Sequence, residues 1–216
     1  MQVYVEGNIG TGKTTFLQFL DKNIKDSKVV YEPVDEWLTL KDSDGKNILQ
    51  KFYEDQNRWS FAFQMNSFIS RIKKIENSKS ELNFIERSVF TDNECFATNC
   101  YENGKMTKLE YNIYSRWHSW LCEKFEMKPK VFIYLKALPE VSFERIKNRS
   151  RSEETGITLD YLKQLHTLHE DWMLRNIENG AKVLYLDVSH NFYESEKESE
   201  KIKETVKEFI QTLQSV

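Results

Sequence analysis

The sequence predicts a single α/β domain in which a parallel β-sheet carries helices on both faces. Three observations lead to this fold class. Short apolar runs of strand length alternate with segments of helical periodicity, and a glycine-rich loop follows the first run. The 216 residues are also enough for one sizeable core. We therefore predict that residues 1–216 form one domain.

Five runs have the apolar, β-branched or aromatic character of strands. They cover residues 2–6, 28–31, 82–85, 130–135 and 182–187. The last helix is predicted from a single apolar stripe made by Ile202, Val206, Phe209, Ile210 and Leu213. Ligands of parallel sheets bind outside the carboxyl ends of the strands, so the residues that follow each strand are the candidate site.

The loop after the first strand fits G-x-x-x-x-G-K-[ST] in full. It reads Gly7-Asn8-Ile9-Gly10-Thr11-Gly12-Lys13-Thr14. Glycines let the backbone turn so that N–H groups surround phosphate oxygens, and the following helix adds the positive end of its dipole. Lys13 supplies an ammonium group for the β- and γ-phosphates, and the Thr14 hydroxyl is a hard ligand for Mg²⁺. The loop predicts binding of a nucleoside triphosphate without fixing the reaction.

Charged residues follow the second and third strands. Pro33 keeps Glu32 extended, and a carboxylate at this place can accept a proton from a hydroxyl that attacks the γ-phosphate. Glu86 could hold Mg²⁺ through water or act as the base itself, while Arg87 could clamp the reacting oxygen. A surface glutamate and a structural ion pair are the alternative interpretations.

A helix between these two strands carries Gln64, Ser67, Phe68 and Arg71 on one face. Gln64 has both a donor and an acceptor with which to read the edge of a nucleobase. Phe68 and Phe96 could sandwich the base, although ordinary core packing is the usual role of such aromatic residues.

An arginine-rich segment follows the fourth strand. Arg145, Arg149 and Arg151 recur at short spacing there, which suits a lid that closes over the transferring phosphoryl group. A solvated, salt-bridged helix end is the alternative interpretation.

The bulk composition argues against several classes of partner. The net charge is -3, with 31 basic and 34 acidic residues and no long like-charge block, which disfavours nucleic-acid binding. Cys95, Cys100 and Cys122 lack metal-ligand spacing and indicate free thiols in a reducing compartment. No apolar run reaches membrane-spanning length, and the first strand begins almost at Met1. We expect a cytoplasmic protein with no membrane partner and no targeting segment.

Seven stretches together resemble the deoxyribonucleoside kinase family, in particular its deoxycytidine and deoxyguanosine kinase-like branch. They are Gly7–Thr14, "EPVDEW", "YEDQNRWSFAFQ", "ERSVFTD", "NIYSRWHSWL", "RIKNRSRSEE" and "YLKQLHTLHEDWML", and they extend over nearly the whole chain. The resemblance implies a P-loop kinase fold, with a five-stranded parallel sheet and an arginine-rich lid, in a single deoxynucleoside kinase domain that forms a homodimer. It implies transfer of the γ-phosphate of ATP, or of another nucleoside triphosphate, to the 5′-hydroxyl of a deoxynucleoside in nucleotide salvage.

The resemblance also implies roles for individual residues. Glu32 would be the general base, Arg87 would position Glu32 and the 5′-oxygen, and Glu86 and Thr14 would contact Mg²⁺. The sugar and base would be held by Tyr53 and Glu154 at the 3′-hydroxyl, by Gln64 at the base edge, and by Trp37, Phe63 and Phe96 around the pocket. The donor would be held by Arg145 against the adenine, by Arg149 and Arg151 on the phosphates, and by His190, Asn191 and Phe192 beside the adenine.

Arg71 and Asp92 bear on which base is accepted. In the branch that prefers cytidine and purines this helix carries an arginine, and an aspartate stands four residues beyond the Arg-Ser pair. A charged Arg71–Asp92 pair would crowd a thymine methyl group and offer polar contacts to an exocyclic amino group. We therefore predict deoxycytidine, deoxyadenosine or deoxyguanosine over thymidine. Ser67 is more polar than the residue expected there, which leaves the order among the three open.

Three other functions are compatible with parts of this sequence. A nucleoside monophosphate kinase would share the phosphate loop, but the carboxylates of "EPVDEW" would repel an anionic acceptor. A non-catalytic family member acting as a structural subunit would tolerate loss of Lys13, Thr14, Glu32 and Arg87, and all four are present. A GTPase-like switch needs an N-K-x-D motif after the fourth strand, where none occurs. The helix with Trp117-His118-Ser119-Trp120 could be a dimer surface or core.

Overall fold

The computed structural model of the protein describes residues 1–78 and 80–214. Five parallel strands form one sheet in the order β2-β3-β1-β4-β5. The strands are β1 (Gln2–Glu6), β2 (Ser27–Val30), β3 (Leu82–Glu86), β4 (Val131–Lys136) and β5 (Lys182–Asp187). The predicted α/β class and all five strand predictions are confirmed, with differences of one residue at the ends of β2, β3 and β4.

Ten α-helices are found in the described residues. They are α1 (Lys13–Asn23), α2 (Val34–Thr39), α3 (Ile48–Glu54), α4 (Gln56–Glu76), α5 (Val89–Thr91), α6 (Thr98–Glu102), α7 (Lys108–Lys124), α8 (Pro139–Arg149), α9 (Leu159–Glu178) and α10 (Glu196–Gln214). A π-helical segment, Asp92–Ala97, joins α5 to α6, and short 3-10 turns cover Ser152–Glu154 and Phe192–Glu194. None of the helices in this part of the chain is long and apolar enough to cross a membrane.

Two of the helices beside the candidate site, α4 and α9, begin at side-chain caps. The Asp55 carboxylate accepts a hydrogen bond from the backbone N–H of Arg58 at the start of α4. The Thr158 hydroxyl accepts one from the N–H of Tyr161 at the start of α9. Such caps satisfy N–H groups that have no partner within the helix, so these two residues fix where α4 and α9 begin.

The core lies in two layers, one on each face of the sheet. Alternation along β1 directs Tyr4 into the layer beneath α4, α7 and α9, and directs Val3 and Val5 into the layer beneath α1 and α10. Val206 and Ile210 are buried in the second layer, as the predicted stripe of the last helix requires. Because both faces are covered, the polar ends of the strands remain as the place for a site.

Candidate active site

The phosphate loop has a left-handed backbone, which favours glycine, at Gly7, Gly10 and Gly12, and the first two are also closely packed. Gly7 and Gly10 have φ values of 141° and 82°. A Cβ atom would lie 2.5 Å from the carbonyl oxygen of Leu135 at Gly7, and 2.5 Å from that of Ser142 at Gly10. Both the dihedral angle and the close approach of β4 and α8 therefore require glycine, and the loop curls tightly before α1.

Lys13 lies folded against this loop. Its Nζ donates hydrogen bonds to the carbonyl oxygens of Gly7 at 3.0 Å and Asn8 at 2.7 Å. Burial lowers the pKa of Lys13 to about 7, and the nearby charge of Arg87 acts in the same direction. Phosphate oxygens beside the amine would favour its charged form. Asn8 Nδ2 donates to the carbonyl of Leu162 at 2.8 Å, which ties the loop to α9.

Glu32 lies two residues beyond β2, between two guanidinium groups. Its Oε1 accepts a hydrogen bond from Nη2 of Arg71 at 2.8 Å and lies 3.5 Å from Nε of Arg87. Burial alone would raise the pKa of Glu32, but the charges of Arg71 and Arg87 outweigh it and lower the pKa to about 2. The carboxylate is therefore ionised at neutral pH.

Arg71 and Asp92 form the ion pair expected from the sequence, and both side chains are 2% exposed. Arg71 Nε donates to Oδ2 at 2.8 Å, and Nη2 donates to Oδ1 at 3.1 Å. Arg71 Nη1 donates to the carbonyl of Glu86 at 2.9 Å. Burial opposes the charge of Arg71, but Asp92 and Glu32 outweigh that effect and raise its pKa. The Ser67 hydroxyl adds a contact of 3.3 Å to Asp92 Oδ1.

Glu86 joins the phosphate loop to the end of β2. The Thr14 hydroxyl donates to Glu86 Oε1 at 2.7 Å, and Oε2 accepts a hydrogen bond of 3.3 Å from the backbone N–H of Glu32. A hydroxyl and a carboxylate beside a phosphate loop are hard oxygen ligands, and this donor chemistry fits Mg²⁺.

Arg87 has an unusual backbone for a bulky residue, with φ at 62°. Its guanidinium carbon lies 4.8 Å from the centre of the Phe96 ring, and Nη1 is 3.3 Å from Nε2 of His169. The next residue is held by β1, because the Ser88 N–H donates to the Glu6 carboxylate at 2.7 Å. Positive φ values of this kind cluster at functional sites and are maintained by surrounding contacts.

A cavity of about 440 Å³ opens at this edge of the sheet, a size typical of small-molecule sites. The predicted residues that line it are Ile9, Gly10, Gly12, Lys13, Thr14, Glu32, Trp37, Tyr53, Phe63, Gln64, Ser67, Glu86, Arg87, Asp92, Phe96, Arg149, Arg151 and Glu154. Arg71 was expected to touch the substrate, but it lies behind this wall and reaches the cavity through Asp92.

The expected stacking role of Phe68 is wrong. This ring is fully buried and packs against Tyr114 and His118 of α7, with ring centroids 5.5 and 5.6 Å apart. Successive residues of an α-helix are rotated by about 100° around its axis. Ser67 and Phe68 therefore lie at opposite edges of the helix face that Gln64 and Arg71 share. Only the Ser67 side of that face meets the cavity.

Two of the three arginines expected in the lid, Arg149 and Arg151, are held in place by one carboxylate. Glu154 makes a close ion pair with Arg149, and its Oε1 accepts from Nη1 of Arg151 at 3.2 Å. Tyr53 lines the same cavity, and burial together with the charge of Glu154 raises its pKa. The two residues that the resemblance assigns to the sugar 3′-hydroxyl therefore lie in one cavity with the arginines.

A second cleft, of about 490 Å³, lies on the other side of the phosphate loop. Arg145, His190, Asn191 and Phe192 line it, and Gly10, Gly12, Thr15 and Arg149 line both clefts. Arg145 Nη2 donates to the carbonyl of Val188 at 2.7 Å. The structure thus groups the residues expected near an adenine on one side of the loop, and those expected near a nucleoside on the other.

Two buried residues of this region were not singled out by the sequence analysis. Glu6 is fully buried, and its Oε1 accepts hydrogen bonds from the Ser88 N–H and from the Thr91 hydroxyl at 2.5 Å. It ends β1, so the rule that strand ends carry the chemistry would have found it. His169 interrupts an apolar stripe of α9 that includes Leu165, and that single polar residue was its signal.

The parallel sheet, the phosphate loop after β1 and the paired clefts define a nucleotide-dependent kinase of the P-loop class. Residues 3–211 match the family model described as deoxynucleoside kinase. The chain belongs to the deoxynucleoside kinase family, so the predicted fold, enzyme class and kinase activity in deoxynucleoside salvage are confirmed. The monophosphate kinase and non-catalytic alternatives are not favoured.

Individual relatives resemble the chain over most of its length. Human deoxycytidine kinase is 37% identical over 244 residues, which covers 98% of this chain and 92% of that protein. A probable deoxycytidine kinase of fowlpox virus is 37% identical over 191 residues, covering 87% of this chain and 78% of that protein. The mitochondrial deoxyguanosine kinase of Xenopus laevis is 32% identical over 238 residues, covering 97% and 89% respectively.

Proposed function

We propose that this kinase phosphorylates the 5′-hydroxyl of deoxycytidine, deoxyadenosine or deoxyguanosine in preference to thymidine. The observation that carries the proposal is the Asp92 carboxylate in the cavity wall. Arg71 directs its donors to Asp92, Glu32 and the Glu86 carbonyl, which leaves Asp92 as the group that faces the base. An exocyclic amino group donates to a carboxylate, whereas the thymine O4 and methyl group offer it no donor.

The phosphate donor in this proposal is ATP, with its adenine in the second cleft and its phosphates at the loop. Arg145, His190, Asn191 and Phe192 would surround the adenine. Lys13 and the loop N–H groups would hold the β- and γ-phosphates, since an ammonium group and converging backbone dipoles favour anions. Thr14 and Glu86 would hold Mg²⁺, which when bound neutralises charge on the transferring phosphoryl group.

Glu32 acts as the general base in the proposed reaction. The 5′-oxygen forms a bond to the γ-phosphorus while the bond from that phosphorus to the β,γ-bridging oxygen breaks, and the proton of the hydroxyl passes to Glu32. A loose transition state demands little activation of the nucleophile, so a carboxylate of low pKa suffices. Arg87 holds Glu32 through Nε and offers its remaining donors to charge that develops on the reacting oxygens.

Tyr53 and Glu154 would hold the sugar 3′-hydroxyl, which would disfavour dideoxy analogues. Gln64 would read the base edge, with Trp37, Phe63 and Phe96 around it. Arg149 lines both clefts and Arg151 lines the first, and both would bind phosphates as the lid closes.

We also propose that the enzyme is a cytoplasmic homodimer. Exposed apolar side chains lie on α4 and α7, which pack side by side: Ile69, Leu109, Ile113, Trp117 and Trp120. The four residues on α7 recur at spacings of four, four and three, so they share one helix face, and an exposed apolar face supports association with a second copy. The three cysteines are free and buried, which suits a reducing compartment. The proposed partners are small molecules, and the charge balance supports no role in nucleic-acid binding.

The experiment that tests the proposal is phosphorylation of deoxyadenosine, deoxyguanosine, deoxycytidine and thymidine with Mg-ATP, each alone. The four 5′-monophosphates serve as controls. Turnover of a nucleoside with an amino group and little turnover of thymidine supports the proposal. Strong thymidine turnover overturns the role given to Asp92, and turnover of monophosphates alone overturns the acceptor site.

A further inference from the structure

Arg87 is held on one side by a residue that has no place in the proposed chemistry. His169 of α9 is fully buried and does not line the cavity that Arg87 lines. Its Nε2 lies 3.3 Å from Nη1 of Arg87, while Glu32 lies 3.5 Å from Nε of the same guanidinium. A histidine beside a buried cation needs an explanation, because burial and a neighbouring positive charge both oppose its protonation.

The hydrogen bond on the other side of the ring fixes the tautomer of His169. Its Nδ1 lies 2.6 Å from the carbonyl oxygen of Leu165, which can only accept a hydrogen bond. Nδ1 therefore carries the proton, and Nε2 presents a lone pair to the Arg87 N–H. Burial, and after it the charge of Arg87, lower the pKa of His169 well below its usual value, which agrees with a neutral ring.

Phe96 completes the contacts on the guanidinium. Its ring lies beneath the guanidinium carbon of Arg87 and meets the His169 ring edge-on, with centroids 6.1 Å apart at 88°. Arg87 thus contacts a carboxylate at Nε, an imidazole at Nη1 and an aromatic face below. Of these three groups, His169 makes a directional contact from outside the cavity, so it fixes the rotation of the guanidinium without occupying substrate space.

We propose that His169 is a positioning residue, a neutral hydrogen-bond acceptor that holds the Arg87 guanidinium in register with Glu32 and the reacting oxygens. This inference rests on the proposed role of Arg87 as the clamp of the phosphoryl-transfer reaction. Its physical basis is that misplacement of a catalytic group by about 1 Å can lower the rate on the order of 100-fold. A side chain that fills the same space without an acceptor would let the guanidinium rotate.

Two substitutions at this position separate hydrogen bonding from packing. His169→Leu keeps an apolar side chain in the site but removes the acceptor, whereas the Oε1 of His169→Gln can accept from Arg87. We expect His169→Leu to lower kcat by roughly 10- to 100-fold, with the nucleoside KM changed less than about threefold. We expect His169→Gln to recover most of that loss. Equal losses in both variants would overturn the proposal.

His118 provides a matched control for the loss of a buried histidine. It lies on α7 and is 5% exposed. Its Nε2 lies 3.0 Å from the carbonyl oxygen of Val89, and it makes no hydrogen bond with Arg87. We expect His118→Leu and His169→Leu both to lower the Tm, but His118→Leu to keep kcat near that of the wild type. If both leucine variants lower kcat to the same extent, the effect at His169 is structural and the proposal fails.

A double-mutant cycle shows whether His169 acts through Arg87. In an Arg87→Lys background His169→Leu should lower kcat by less than about twofold, because the directed guanidinium is already gone. A full further loss in that background would overturn the proposal. The ¹⁵N shifts of the His169 imidazole report the contact without any substrate, and a protonated Nε2 would also overturn it. If the wild type phosphorylates no deoxynucleoside, the proposed function fails while these shifts still show the contact.

Discussion

Nη2 of Arg71 donates a hydrogen bond to Glu32 at 2.8 Å, and the same guanidinium makes two contacts with Asp92. The residue proposed as general base and the residue proposed to select the nucleobase are therefore bridged by one buried side chain. Changes at Asp92 should accordingly alter the charge around Glu32 as well as the shape of the base pocket.

The first prediction concerns the general base. Glu32→Gln should lower kcat by at least ~100-fold, because the amide cannot accept the proton of the 5′-hydroxyl. Steady-state phosphorylation of the best nucleoside measures this effect. Since the pKa of Glu32 is about 2, its protonation should produce no acid limb in the wild-type pH–rate profile between about pH 5 and 7.

Glu86→Gln is the control for this assignment. Glu86 contacts Thr14 and the backbone of Glu32, so its substitution should weaken Mg²⁺ binding and raise the Mg²⁺ concentration needed for half-maximal activity. A near-normal rate in Glu32→Gln, together with a loss of ~100-fold in Glu86→Gln, would move the role of base to Glu86.

The second prediction concerns the Arg71–Asp92 pair. Asp92→Ala should lower the free energy of unfolding by about 3–5 kcal/mol, because it leaves a buried guanidinium without one partner. The double variant Arg71→Met with Asp92→Ala should recover much of that loss, since no buried guanidinium is then left without its carboxylate. Urea unfolding measures both values.

The same double variant should also accept thymidine. Removal of both charges leaves room for the 5-methyl group and takes away the acceptor for an amino group. The ratio of kcat/KM for thymidine to that for deoxycytidine should rise by at least about tenfold. An unchanged ratio would show that Asp92 does not select the base.

The third prediction concerns the phosphate loop. Gly10→Ala places a Cβ 2.5 Å from the Ser142 carbonyl, at a residue with φ of 82°. Gly45 has a similar φ of 77° but open space around it. Gly45→Ala therefore measures the cost of a positive φ alone, which is about 1–2 kcal/mol for alanine. We expect Gly10→Ala to destabilise the protein more than Gly45→Ala, and to raise the KM for ATP where Gly45→Ala leaves it unchanged. Equal effects on stability would contradict the clash.

The fourth prediction concerns acid stability. The pKa of His169 is lowered by burial and then by Arg87, Lys13 and His166, so below its usual value of 6.5 the unfolded chain binds a proton that the native protein does not. Stability is then complete above about pH 6.5 and declines as the pH falls, by up to ~1.4 kcal/mol per pH unit. Urea unfolding at pH 7.5, 6.5 and 5.5 measures this slope.

His169→Leu should make the dependence of the unfolding free energy on pH less steep, because the unfolded variant binds one proton fewer. Burial also lowers the pKa of His118 and raises that of Glu6, and both groups remain in the variant, so the difference between the two slopes isolates His169. Identical slopes in the wild type and in His169→Leu would show that the buried ring is not held neutral.

The sequence predicted what depends on local pattern. The strands and the helical face of Gln64 follow from periodicities of two and 3.6 residues, which determine the side of an element on which each side chain lies. The glycine-rich loop follows from a motif of eight consecutive residues. The placement of Arg71 behind the cavity wall depends instead on how α4 is rotated against β3, and no local pattern encodes that rotation. For the same reason the sequence left base stacking and core packing both open for Phe68. It also gave no sign that His169 lies beside Arg87, because the two residues are 82 positions apart in the chain.

The arrangement of the two clefts favours a sequential kinetic mechanism, in which both substrates are bound at the same time. Both open onto the same few residues of the phosphate loop, one on each side, so a donor and a nucleoside bound as proposed would meet at these residues. A phosphoryl group can then pass directly between them, with no need for a phosphorylated protein intermediate. Initial-rate plots against nucleoside at several ATP concentrations should therefore intersect, as a ternary complex requires, and should not run parallel.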